Sequence, residues 1–164
     1  MEKQLPKRKL NRLPEYDYSQ NGAYFITICA KNKKCIFGDI VGAGVLDRPH
    51  VELTEVGKCI EKAIWFQNNK AGVIAEKYII MPNHTHLIIA IDDPIIGRSG
   101  TPAPTIGQIV GQFKSYVVKQ LGYEVWQKGF YDHIIRDQKD YDKIWNYIDT
   151  NPERWLEDEY YSNL

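Results

Sequence analysis

The chain is short of cysteine, of net charge and of long apolar runs, and each shortage closes off a class of protein. Its three cysteines, Cys29, Cys35 and Cys59, are unmatched and read as reduced thiols, not as a disulfide framework. Apolar stretches such as Leu87 to Ile91 stop well short of the roughly 18 residues that mark a membrane span, so no membrane partner is expected. No apolar segment follows the N-terminal charges, which reads as the absence of a secretory signal and makes a cytoplasmic location the expectation. The 21 basic residues balance 21 acidic ones, which argues against binding nucleic acid through bulk charge alone.

What remains is the composition of an ordinary folded domain: 164 residues, 43% hydrophobic and 26% charged. That length buries roughly 70% of the surface exposed by the unfolded chain, enough for one core. No internal repeat or composition break divides it. The charge, however, is unevenly placed. Lys3, Lys7, Arg8, Lys9 and Arg12 face only Glu2 in the first 12 residues, and Lys31, Lys33 and Lys34 form a second basic cluster. At the other end, Glu153, Glu157, Asp158 and Glu159 face only Arg154. This polarity can aim a phosphate backbone at one end of the molecule, with Lys7, Arg8, Lys9 and Arg12 as contacts; the alternative is a solvated basic tail. The expected organisation is a basic arm over 1–22, one domain over 23–152 and an acidic tail over 153–164.

Ala23 to Ala30, rich in aromatic and β-branched residues, reads as a buried strand, and Gly38 to Gly44 as a loop or short irregular hairpin. Thr54 is placed to cap a helix running to about Asn69, with Val56, Ile60, Ala63, Ile64 and Phe66 near helical spacing. Val73 to Met81 and His84 to Ile91 read as a hairpin turning at Pro82-Asn83. Thr105 caps a second helix that Gly122 ends, Trp126 to Ile135 reads as a fourth strand broken near Gly129, and Asp137 caps a third helix stopped by Pro152. The order predicts an α+β fold, a ferredoxin-like β-α-β-β-α-β with an antiparallel sheet covered by helices on one face, plus a C-terminal helix carrying Tyr147.

The sharpest local signal is His84-Thr85-His86. Strand side chains alternate, so both imidazoles share one face while Thr85 points to the other with Leu87, Ile89 and Ile91. Two nitrogen ligands on a rigid, open strand face can hold a divalent metal; half-buried histidines hydrogen-bonded to neighbours are the alternative. On the third helix Tyr147 and Asn151 lie one turn apart on one face. A tyrosine hydroxyl can attack a phosphodiester, and an amide oxygen can join a hard-metal coordination sphere. Taken singly, the tyrosine is equally a packing residue and Asn151 before Pro152 an ordinary helix stop.

Together, the runs Met81-Pro82-Asn83-His84-Thr85-His86-Leu87-Ile88-Ile89, Val125 to Arg136 (VWQKGFYDHIIR) and Asn146-Tyr147-Ile148-Asp149-Thr150-Asn151-Pro152 resemble the REP-associated tyrosine transposases, relatives of the single-tyrosine HUH transposases of small insertion sequences. The resemblance extends from about Arg8 to Pro152 and includes Glu15 to Phe25. It implies a domain that binds single-stranded DNA or a DNA hairpin, as monomer or homodimer, and cleaves one strand through a 5′-phosphotyrosine with Mg²⁺ or Mn²⁺. Carried over, Tyr147 is the nucleophile, His84 and His86 are the metal pair, and Asn151 is the polar residue one turn after the tyrosine, which is Gln in many insertion-sequence relatives. The chain departs from the pattern at Thr85, where a bulky apolar residue is usual. Lys114, Arg136 and Lys139 are candidates for phosphate contacts. Two rival readings are a hairpin-binding protein without cleavage, using the arm and stacking aromatics such as Tyr16, Tyr18 or Phe25, and a metal-dependent phosphoesterase acting through water.

Overall fold

The computed structural model describes residues 22–42, 44, 47–68, 72–91 and 104–162. The main elements among these residues are, in order, β1 (Gly22–Cys29), β2 (Gly38–Val41), β3 (His50–Leu53), α1 (Glu55–Asn68), β4 (Val73–Ile80), β5 (His84–Ile91), α2 (Ile106–Leu121), β6 (Tyr131–Ile135), α3 (Gln138–Thr150) and a 3-10 segment, Pro152–Glu157. A short 3-10 turn at Lys31–Lys33 follows β1. The main sheet has the order β4-β5-β1-β6 and every pair in it is antiparallel. This is the expected ferredoxin-like α+β arrangement, with β2 and β3 inserted as a separate two-stranded hairpin.

Local chemistry sets the helix ends. Thr54 accepts the Gly57 amide proton and so caps α1, while its own hydroxyl donates to the Ile36 carbonyl. A Cβ at Gly57 would collide with the Phe37 carbonyl oxygen, so glycine alone lets α1 start this close to the chain entering β2. At α2 a reciprocal capping box joins Thr105 and Gln108, and Gly122 closes the helix in the left-handed conformation. Asp137 accepts the Asp140 amide proton at the start of α3.

The two faces of the sheet are covered differently. Tyr24, Ile26 and Ile28 of β1 and Leu87, Ile89 and Ile91 of β5 join Ile60, Ile64, Ile109 and Phe113 in the main core beneath α1 and α2. The opposite face is also covered: Phe25 and Ile88 pack against Ile144 and Ile148 of α3. The helices α1 and α2 thus cover one face as expected, and the added helix α3 buries its own apolar stripe against the other. The fourth strand is also shorter than predicted. Trp126 makes a single bridge to Ala30, Gly129 then adopts φ +78°, and the regular ladder begins at Tyr131.

A bulge in β4 anchors α3. The register shifts between Ala75 and Lys77, so two successive side chains, Glu76 and Lys77, both reach the α3 side. Glu76 accepts a 2.9 Å hydrogen bond from the Tyr141 hydroxyl. Lys77 forms an ion pair with Asp149 and lies 4.5 Å above the Trp145 ring. These contacts fix the helix carrying Tyr147 against a sheet edge.

Candidate active site

The site begins on β5, an interior strand between β4 and β1, where His84 pairs with Cys29 and His86 with Thr27. Both histidines share the α3 face, as alternation requires, but that face is not open: His84 is 0% and His86 1% exposed. The expectation of an exposed strand face fails because α3 and the segment after it close over the strand.

Asn83 defines which nitrogen of His84 is free. Its Nδ2 donates to the carbonyls of Lys33 (3.1 Å) and Tyr160 (2.8 Å), which turns its Oδ1 toward His84 Nδ1 at 2.9 Å. An amide oxygen only accepts, so Nδ1 bears the proton and the lone pair lies on Nε2. That Nε2 is buried with no hydrogen-bond partner. His86 engages Thr27 Oγ1 through Nδ1 at 2.8 Å and turns Nε2 toward the Tyr147 hydroxyl at 3.4 Å. Phe25 stacks on the His86 ring, with centroids 5.1 Å apart, and meets the Tyr147 ring edge-on.

From α3, Tyr147 arrives half-buried and Asn151 buried. Asn151 Nδ2 donates to Asp158 Oδ2 at 2.8 Å, while its Oδ1 is buried without a partner. Asp158 belongs to the stretch that reads as an acidic tail from sequence, yet its side chain is only 1% exposed and Oδ2 stands 3.9 Å from His84 Nε2. Ligand atoms of His84, His86 and Asp158 all lie within 4.8 Å of one another. Donors that close fit a cation bound at roughly 2.0–2.6 Å from each. The orphaned Nε2 of His84 and Oδ1 of Asn151 are the buried polar atoms such an ion would satisfy.

The electrostatics agree. Burial pushes His84 down to about 4 against the opposing pull of Asp158, and burial, followed by the neighbouring His84, holds His86 well below the ordinary histidine value. Both rings are therefore neutral near pH 7, with lone pairs available, and the 3.9 Å approach of His84 to Asp158 is not an ion pair. Tyr147 is pushed up to about 12, chiefly by burial and then by the charges of Asp158 and Glu159, so its phenol keeps its proton at rest.

Tyr147, His84, His86 and Asn151 thus converge. The proposed phosphate contacts do not join them. Lys114 gives its ammonium to the carbonyls of Gln127 (2.7 Å) and Gly129 (3.0 Å), bracing the loop before β6. Arg136 and Lys139 are exposed, and Arg136 follows Ile135, which pairs with Ala23 at the end of β1 remote from His84. Phe25 is packed inside the site and offers no open stacking surface. Lys7, Arg8, Lys9, Arg12, Tyr16 and Tyr18 lie outside the described residues. Lys31, Lys33 and Lys34, by contrast, are exposed just beyond Cys29, at the His84 end of the sheet. The residues missed from sequence are Asp158, Asn83, Thr27 and Tyr160, whose ring lies 4.7 Å from that of His84. Thr27 had a signal, a polar residue inside the apolar run Tyr24 to Ile28.

No protein-family model matches the chain. A protein of Haemophilus influenzae, described as an uncharacterized protein, is 36% identical over 176 residues that cover 94% of this chain and 93% of that one. Among solved structures, a REP-associated tyrosine transposase bound to a REP hairpin superposes with a TM-score of 0.61 at 21% identity, covering 87% of this chain and 74% of its own. A candidate transposase from Deinococcus radiodurans superposes with a TM-score of 0.50 at 14% identity, over 85% of this chain and 95% of its own. No helix among the described residues is long and apolar enough to cross a membrane. The chain belongs to one family with the Haemophilus influenzae protein, and it has the fold of a REP-associated tyrosine transposase.

Proposed function

We propose that the protein is a DNA strand transferase that cleaves and rejoins single-stranded or hairpin DNA through Tyr147. The observation that carries this reading is the meeting of the Tyr147 hydroxyl with the buried pair His84 and His86, 3.4 Å from His86 Nε2, within a transposase fold. A divalent cation, Mg²⁺ or Mn²⁺, held by His84 and His86 with Asn151 beside them, would polarise a non-bridging phosphate oxygen and offset charge developing on it.

The chain's own residues supply the rest. Tyr147 Oη attacks phosphorus, the new phosphorus–phenolic oxygen bond replaces the bond to the 3′ oxygen, and the phenolic proton ends on that departing hydroxyl. The products are a 5′-phosphotyrosine and a free 3′-OH, so no water is consumed and a later 3′-OH attack reverses the exchange. α3, held by Glu76 and Lys77, keeps the phenol aimed at the histidines. Asn83 and Thr27 hold the two imidazoles in one orientation. Lys31, Lys33 and Lys34 form a basic surface at this end of the sheet, and the basic arm over 1–22 adds charge for the DNA backbone.

The test incubates the full chain with end-labelled single-stranded and hairpin oligonucleotides, with and without Mn²⁺ or Mg²⁺. A covalent adduct on Tyr147, lost in Tyr147→Phe with DNA binding retained, is expected. Cleavage that persists in Tyr147→Phe would replace this reading with a phosphoesterase using water, and hairpin binding without any cleavage would replace it with a binding protein.

A further inference from the structure

One group at the polar end of the α3 face has no part in the tyrosine chemistry above: the carboxylate of Asp158. It stands seven residues beyond Asn151, past the 3-10 segment, with its side chain 1% exposed. Among the described residues it accepts from two neutral donors, Asn151 Nδ2 at 2.8 Å and the Tyr160 backbone N–H at 2.7 Å, and no lysine or arginine pairs with it. A carboxylate this deeply buried calls for positive charge nearby. Opposite it stand the orphaned Nε2 of His84 and the Nε2 edge of His86, all within 4.8 Å of one another.

Resting on the reading that His84 and His86 hold a divalent cation, we infer that Asp158 is the third protein ligand of that cation, carried to it by the C-terminal segment that Asn83 fastens beside His84. A carboxylate brings a full negative charge to the set, which the neutral amide of Asn151 does not. Asn151 donates its Nδ2 hydrogen to Asp158 Oδ2 and thereby acts as a positioning residue for the carboxylate. The segment is fastened at several points. Asn83 donates to the Tyr160 carbonyl, Ser162 Oγ donates to the Lys33 carbonyl at 2.9 Å, and the Trp155 and Tyr160 rings flank His84 at 6.0 and 4.7 Å. Because Asn83 also sets the His84 tautomer, one amide ties the histidine ligand to the segment bearing the carboxylate. Cation binding and docking of residues 154–162 are then linked: each favours the other by the same factor.

The experiment titrates Mn²⁺ alone into the full chain, following free Mn²⁺ by electron paramagnetic resonance, with amide hydrogen exchange of residues 154–162 as a second readout. The wild-type chain is expected to bind one Mn²⁺, His86→Ala to lose it, Asp158→Asn to bind roughly tenfold or more weakly, and Glu159→Gln, an exposed neighbouring acid, to bind as wild type. Saturating Mn²⁺ should slow exchange across 154–162 in the wild type and not in His86→Ala. Wild-type affinity in Asp158→Asn alongside loss in His86→Ala overturns the role of Asp158 and leaves the histidine pair standing. Absence of Mn²⁺ binding by the wild type overturns both. Should Asp158→Asn fail to fold, the exchange readout decides, and unchanged exchange over 154–162 overturns the inference.

Discussion

On the α1/α2 side of the sheet, Ile28, Leu87 and Ile89 meet Ile64, Ile109 and Phe113 as a continuous apolar layer. On the α3 side, Phe25 and Ile88 meet Ile144 and Ile148 for only part of the length before Thr27, His86 and His84 take over. Both faces are dry. The first is held by dispersion and the hydrophobic effect and tolerates exchange among apolar side chains of similar volume. At the polar end of the second, each buried group needs a named partner, so Thr27, Asn83 and Asn151 each serve a neighbour. Residues that form the main core and residues proposed to carry the chemistry thus lie on opposite faces of the same strands.

The sharpest way to break that separation is to change one residue on each face. Tyr147→Phe is expected to abolish the covalent DNA adduct while altering urea-unfolding stability by no more than about 1 kcal/mol, since the hydroxyl's approach to His86 is long, at 3.4 Å. Leu87→Ala should do the reverse. It is expected to lose about 2–5 kcal/mol through the cavity left in the main core, with adduct yield per folded molecule unchanged. Loss of the adduct in the folded Leu87→Ala protein would show that the faces are coupled.

Acid should strike the buried histidines. Burial holds both histidines below their ordinary value, so in the metal-free protein their contribution to stability is fully present above pH 6.5 and is lost as pH falls below it, through about 4 for His84. Denaturant midpoints measured across pH 7 to 4 should fall by the equivalent of a few kcal/mol, and a His84→Ala/His86→Ala double variant should flatten this slope. Deleting residues 1–12 is expected to leave the unfolding curve alone while weakening DNA binding. It should reduce the salt dependence of log affinity by up to about 4, if all five basic side chains removed contact phosphates. Smallest of all, Tyr141→Phe should cost about 1 kcal/mol or less in stability and slow cleavage only a few-fold, by freeing α3 from Glu76.

Much of this was legible in the sequence where the signal is local. Thr105 with Gln108, Gly122 and Asp137 mark helix ends through contacts within a few residues, and the alternation of His84 and His86 places both rings on one face. What was not legible depends on distant contact. Asp158 sits among acids that look solvated until the turn after Pro152 brings the chain back to β5. Lys114 looks like a phosphate contact until the carbonyls of Gln127 and Gly129 are beside it. The bulge at Glu76 leaves no mark in a strand whose composition already alternates imperfectly.

The position of β5 between two partners has a thermodynamic consequence. Side chains on an interior strand, each ring held through its Nδ1 by a hydrogen bond, have lost their rotamer freedom during folding. Neither imidazole has to be ordered again when the proposed cation arrives, and little apolar surface is hidden by its arrival at that strand. Calorimetry on a variant lacking the Asp158 carboxylate should therefore show a heat-capacity change near zero, whereas any sizeable negative value in the wild-type chain measures the docking of residues 154–162.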